Sequence, residues 1–225
     1  MVTLNQPNSA RFWPLSSLPL VKVAGGQFGA LISPIRNGIF EGETHFGFIH
    51  EGPTLLTCDS GEFMLKGGMY FSVPGSMHIG GGKGIVITCK SDYQGFFSLG
   101  GPVESRGRLR YIDGCTDSLI IAPIHRGDPC LNLLHIPPNT NQSSHSHPSF
   151  RIGLIIGGSG TCLMPEGSHL LEPGQAFHIP AGQIHSFQTD SKPLLVLAYH
   201  PDSDTGSTDF DHPMINRTFL QEKEV

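Results

Sequence analysis

The chain has 225 residues, of which 29 are glycine and 18 proline, and only 15% carry charge. Short apolar runs punctuated by glycine and proline exclude a helical bundle and read as a turn-rich, all-β protein with room for one large domain or two small ones. The net charge of −5, with no Lys/Arg block, argues against nucleic acid as a partner.

In chain order, the first 20 residues lack the basic start and apolar stretch of a secretory leader. No apolar run approaches the roughly 18 residues of a membrane span. A cytoplasmic protein with no membrane partner is expected. Strand-like runs then follow: "HFGFIH" from His45, "TLLTC" from Thr54, "MYFSVP" from Met69 and "GIVITC" from Gly84. "GGGKG" at Gly80–Gly84 is rejected as a phosphate loop, because Gly84 stands where Ser or Thr is required. Polar and glycine residues interrupt the pattern between Leu99 and Ser118. Strand-like runs resume with "FRIGLII" from Phe150, "GTCLM" from Gly160, "QAFHIP" from Gln175 and "LLVLAYH" from Leu194. "DSDTGSTD" at Asp202–Asp209 fails as a calcium loop, since Pro213 sits where the bidentate glutamate belongs. The tail beyond about residue 205 is expected to be an ordered arm, packing on its own barrel or on a neighbour's in a homodimer. The five cysteines are scattered without a CxxC pair, so reduced thiols are expected, with Cys162 buried and inert.

The two sets of runs are copies. At a single offset of 106, Gly47 falls on Gly153, Gly52 on Gly158, Gly61 on Gly167, Gly68 on Gly174, Phe71 on Phe177 and Pro74 on Pro180. His78 matches His185 after a one-residue slip. Glycines in fixed register mark turns in fixed register, and so a repeated sheet topology. Two lobes follow, with the division placed at residues 108/109. Turn bias shared by both halves is the plainer alternative.

The second copy also carries a set of polar residues: Asn139, His145, His147, Arg151 and Gly158, followed by Gly174, Pro180, Gly182, His185 and Thr189. In type and spacing this set resembles the paired motifs of the cupin superfamily. Three places differ: Asn139 stands for a glycine, Thr189 for an asparagine and Arg151 for a glutamate. The first copy resembles the same fold with a degenerate site, where Glu41, His45 and His78 occupy motif positions. The resemblance implies two cupin barrels of the double-stranded β-helix, or jelly-roll, type in tandem. It further implies one divalent metal in the second lobe on His145, His147 and His185. Fe(II) is the expected ion, with Ni, Zn, Mn and Cu as alternatives. Polar residues on a solvated loop are the plainer reading of the histidines. A weaker metal set on Glu41, His45 and His78, or a first lobe kept as scaffold, are both open.

Arginine stays protonated and has no lone pair for a metal. A three-histidine site leaves the ion its full charge, which favours an anionic chelating substrate. Arg151 is the catalytic candidate, as a two-pronged clamp on that anion. It faces the barrel interior if it shares a strand face with His145 and His147, or turns outward, or pairs with Glu166. Three-histidine cupins resemble iron-dependent dioxygenases of thiols, diketones and hydroxylated aromatic acids, which would take O2 as a second substrate. A non-catalytic cupin binding a metal or small effector, and an isomerase or lyase using the metal as Lewis acid, are the alternatives. His178 is expected to be a hydrogen-bonded structural histidine.

Overall fold

The computed structural model describes residues 1–5, 9–24 and 29–221. The first strands are β1 (Val2–Asn5), β2 (Arg11–Pro14), β3 (Val21–Ala24), β4 (Gly29–Pro34), β5 (Gly38–Phe40), β6 (Thr44–Glu51), β7 (Thr54–Cys58) and β8 (Gly61–Leu65). Next come β9 (Tyr70–Pro74), β10 (Met77–Gly80), β11 (Lys83–Lys90), β12 (Ser98–Gly100), β13 (Leu109–Arg110), β14 (Thr116–Ile121) and β15 (Cys130–Ile136). The last are β16 (Arg151–Gly158), β17 (Gly160–Met164), β18 (Gly167–Leu171), β19 (Gln175–Ile179), β20 (Ser186–Gln188) and β21 (Leu194–His200). A four-residue helix, α1 (Pro213–Asn216), lies in the C-terminal arm. The protein is all-β, as expected.

Each lobe joins a large sheet to a small one. The first lobe has a seven-stranded sheet in the order β1-β3-β4-β11-β6-β9-β12 and a four-stranded sheet β5-β10-β7-β8. The second has a seven-stranded sheet β13-β14-β15-β21-β16-β19-β2 and a three-stranded sheet β18-β17-β20. Strand β2 lies well before residue 108, yet it completes the second lobe's sheet by pairing antiparallel with β19. The N-terminal segment therefore straps the two lobes together.

Strand alternation divides the apolar residues between two kinds of core. Phe46, Phe48, Ile85 and Ile87 of the first lobe pack against Ile152, Leu154, Leu197 and Tyr199 of the second. The rings of Phe46 and Tyr199 meet edge to face at 5.3 Å. Side chains of the opposite parity fill the lobes themselves. In the first lobe these are Ile49, Leu56, Phe71, Val73, Met77 and Ile79. In the second they are Ile136, Ile155, Cys162, Phe177, Ile179 and Val196.

The sequence repeat is a physical repeat. Gly47 pairs with Phe71 across β6 and β9, and Gly153 pairs with Phe177 across β16 and β19. Gly68 and Gly174 each enter a turn with positive φ, 84° and 83°. Asn139, standing at a glycine position of the motif, takes φ of 58°, which asparagine tolerates better than most residues.

Candidate metal centre

His145 and His147 do not lie on a strand, contrary to the parity argument above. Residues 141–150 run irregularly, held by isolated bridges between Asn141 and Gln188 and between His145 and His185. Pro148 and the polar run before it deny the segment a continuous ladder. The two bridges nevertheless do what a strand would. The backbones of His145 and His185 exchange N–H···O bonds of 2.9 Å in both directions. The Gly182 N–H, in the turn before His185, donates to the His147 carbonyl at 2.8 Å. Thr189 anchors the base of this arrangement, accepting from the Thr140 N–H at 3.0 Å and donating to the Pro137 carbonyl.

The three imidazoles converge. Ring centroids are 5.1 Å apart for His145 and His147, 4.6 Å for His145 and His185, and 5.2 Å for His147 and His185. One ligand atom from each lies within 4.8 Å of the others. The hydrogen bonds fix the tautomers. Nδ1 of His145 lies 2.9 Å from the Ser143 carbonyl, and Nδ1 of His185 lies 2.9 Å from the Gln183 carbonyl. A carbonyl only accepts, so both Nδ1 atoms carry the proton and Nε2 offers its lone pair. A backbone carbonyl on the non-ligating nitrogen is the usual support of a metal-bound histidine. Burial, with Arg151 and the neighbouring imidazoles adding to it, lowers His147 to about 3. Burial in the first place lowers His185 to about 4. Neutral rings of this kind suit a divalent transition metal. The group can hold one.

Arg151 opens β16 and is 9% exposed. Its Nη1 donates to the Ser149 carbonyl at 3.1 Å, to the Ser149 hydroxyl at 2.7 Å and to the Phe150 carbonyl at 3.0 Å. The Ser149 hydroxyl in turn donates to Asp202. Nε of Arg151 is buried without a partner. Glu166, the expected alternative partner, instead accepts from the Gln183 amide at 3.3 Å. Arg151 lines a cavity of about 190 Å³ with Cys130, Asn132, Pro148, His200 and Asp202.

His200 was not singled out by any motif, yet it connects that cavity to the histidine group. It lines the cavity, and its ring lies 6.5 Å from that of His147. Burial, then Arg151 and His147, hold it well below the ordinary histidine range. Only its place at the end of an alternating strand could have marked it. Tyr111 was also missed; its ring stands edge-on to His145 at 6.2 Å.

The remaining candidates are dispersed. Glu41 is exposed, His78 is half-buried, and His45 is buried with Nδ1 2.9 Å from the Thr88 hydroxyl. Among the described residues, only His145, His147 and His185 form a group able to hold a metal ion. His178 is buried on the face opposite Phe177, but its Nδ1 has no hydrogen-bond partner, so it is packed rather than hydrogen-bonded through that atom. Its polar edge is carried on a strand that must be apolar on both faces, and no acceptor reaches it. Cys162 is fully buried, with burial pushing its thiol up to about 12. No helix among the described residues is long and apolar enough to cross a membrane.

Residues 136–208, which span the three histidines, match the model of the AraC-like ligand binding domain family. No curated protein matches. Among solved structures, the chain is similar to a cupin 2 conserved barrel domain protein from Leptotrichia buccalis, at 12% identity and TM-score 0.59, covering 84% of this chain and 88% of that one. It is similar to salicylate 1,2-dioxygenase from Pseudoaminobacter salicylatoxidans, solved as adducts with gentisate, at 12% identity and TM-score 0.61, covering 87% and 82%. It is also similar to protein Ylba from E. coli, at 14% identity and TM-score 0.61, covering 87% and 92%. These likenesses span both lobes, and the motif residues meet where the paired cupin motifs should meet: the chain is a cupin-fold protein.

Proposed function

We propose that this chain is a bicupin with its working site in the second lobe. One divalent transition metal per chain is held there by His145, His147 and His185. The reading goes on to an Fe(II)-dependent dioxygenase acting on a small anionic substrate, a thiol, an enol or a hydroxylated acid. The observation that carries it is the tautomer set: two imidazoles give Nδ1–H to backbone carbonyls, which leaves Nε2 with its lone pair, and one ligand atom from each of the three rings lies within 4.8 Å of the others. Bound iron would supply the redox capacity that dioxygen chemistry needs. The chain's own residues would bind and orient the substrate. Among the described residues Arg151 offers the only buried guanidinium, and Phe187, 5.7 Å from His185, keeps one wall apolar. The first lobe, filled with apolar side chains, serves as scaffold.

A second reading is favoured by the match of residues 136–208 to a ligand-binding family. In it the same site holds a metal or small effector without turnover. Metal analysis of tag-free protein, followed by oxygen consumption with candidate acids, separates the two. One equivalent of iron with substrate-dependent oxygen uptake supports the enzyme. One equivalent of metal with tight ligand binding and no uptake supports the binding module. No metal on the wild-type protein, with retention of none after reconstitution, overturns the enzyme, and the same result with no binding of any candidate acid overturns both.

A further inference from the structure

We infer that the cavity beside the histidine group contains a second polar subsite, made by Asn132 and set by Asp117, that selects short carboxylic acids bearing a hydrogen-bond donor such as an amide N–H. The inference rests on reading the second lobe as a small-molecule site and adds what that molecule must carry.

Asn132 lies in the middle of β15, between β14 and β21. Leu134 and Ile136, at the same parity, pack into the second lobe's apolar core, so Asn132 points to the lobe interior. It lines the same cavity of about 190 Å³ as Arg151 and His200. Its amide is oriented by one neighbour. Nδ2 donates to Oδ2 of Asp117 at 3.3 Å. A carboxylate accepts, so the amide nitrogen must face Asp117 and the amide oxygen must face away. That oxygen is buried and has no partner. Burial raises Asp117 to about 6, against the pull of the Asn132 amide and the Ser118 backbone N–H.

The complementary atom lies on the same sheet, with β21 between. Nε of Arg151 is a buried donor without a partner, and among the described residues no carboxylate oxygen comes within 4.0 Å of this guanidinium. Asp202, engaged by the Ser149 hydroxyl, and Asp204 also line the cavity and act on the guanidinium from longer range. One cavity thus offers an unpaired buried acceptor and an unpaired buried cationic donor. Buried polar atoms are nearly always paired in folded proteins, and an unpaired acceptor and an unpaired donor on residues lining one cavity are a pair that a ligand can complete. A ligand that does so carries an anion for Arg151 and an N–H or O–H for Asn132. A volume of about 190 Å³ holds a molecule of roughly six to ten non-hydrogen atoms, taking about 20 to 30 Å³ for each.

Three near-isosteric probes test this: succinamate, levulinate and succinate, which present an amide, a methyl ketone and a second carboxylate at the same place. The full chain loaded with Ni²⁺ is titrated calorimetrically with each. Succinamate should bind about tenfold more tightly than levulinate, because a site built to accept a hydrogen bond rejects the analogue lacking the donor. In Asn132→Leu the two affinities should become equal while nickel content stays at one equivalent. Where that variant fails to fold, the side-chain amide resonance of Asn132 in the wild-type protein is followed instead. It should move with succinamate and stay with levulinate. Equal affinities in the wild type, an advantage that survives Asn132→Leu, an unmoved resonance, or no binding by any probe at 10 mM (roughly the weakest affinity worth the name) overturns the inference. Loss of metal with the probe preference intact counts against the metal site alone. Metal at one equivalent without the preference counts against the subsite alone.

Discussion

Phe177 lies over Gly153: the two pair across β19 and β16, and a methyl group added to the glycine would meet the ring at 2.9 Å and the Leu197 carbonyl oxygen at 1.8 Å. The same relation joins Phe71 to Gly47 in the first lobe, where the added methyl would meet the ring at 2.1 Å. Gly153→Ala should therefore destabilise by about 3 kcal/mol, the upper end of overpacking, because backbone as well as ring must move. Gly47→Ala should cost less, since the three nearest atoms to the added methyl all belong to the Phe71 ring, which can turn. Denaturant melts of the two variants check the order; equal and negligible effects would show that the rings swing aside freely.

His147→Ala should empty the metal site and leave the fold intact. The side chain is half-buried and contributes no hydrogen bond to the sheet framework. Metal content should fall from one equivalent to below about a tenth, with stability of the metal-free protein changed by about 1 kcal/mol or less. Glu41→Gln and His78→Gln should leave metal content unchanged. Elemental analysis decides both, and a second equivalent in the wild type would assign a site to the first lobe.

Arg151→Lys should separate two roles of one side chain. Lysine keeps the charge but has a single nitrogen, so it cannot make the three bonds that Nη1 makes to Ser149 and Phe150 and also present a second donor, as Nε does, to a ligand. Succinamate affinity should fall about 10- to 150-fold, the equivalent of a lost charge-assisted hydrogen bond at about 1.5–3 kcal/mol. Metal content should not change. Unaltered affinity in calorimetry would confine Arg151 to bracing the start of β16.

His178 makes stability depend on pH. Burial, and Arg11 after it, lowers its folded-state value to about 4 from the ordinary 6.5. Between those values the unfolded chain holds a proton that the folded chain does not. The contribution of His178 should therefore be complete above about pH 6.5, fall as pH drops to about 4, and level off below. The contribution is about 3 kcal/mol across that window. His178→Phe should make the fall shallower by that amount in melts of the metal-free protein at pH 7 and pH 4. A slope identical to wild type would place the acid sensitivity elsewhere.

The legible parts of this protein were those set by backbone constraint at fixed spacing. Gly47 and Gly153, or Gly68 and Gly174, are required by close approach and by positive φ, so their common offset survives in sequence. His145, His147 and His185 were legible for the same reason, since their spacing reflects two turns that face each other. What alternation could not supply was the path of residues 141–150, because Pro148 interrupts the ladder and removes the parity that would have oriented Arg151. Nor does a motif announce His200 or Asn132. Each is a polar residue on a largely apolar strand, and only the register of β15, β16 and β21 brings them to one cavity. The destination of β2 was equally hidden, as nothing local distinguishes "RFWP" from an edge strand of the first lobe.

That last strand has a consequence for how the chain is made. Residues Arg11–Pro14 are synthesised before their partner β19, which follows roughly 160 residues later. Vectorial synthesis can complete the first lobe's ladders as they emerge, while the second sheet waits for a segment made much earlier to swing back and close its edge. That closure is thus a long-range event that joins an older part of the nascent chain to a newer one. Until it occurs, β19 presents an unpaired edge to its surroundings, and a circularly permuted chain that begins between β2 and β3 would bring the two strands within about 60 residues of each other and shorten that interval.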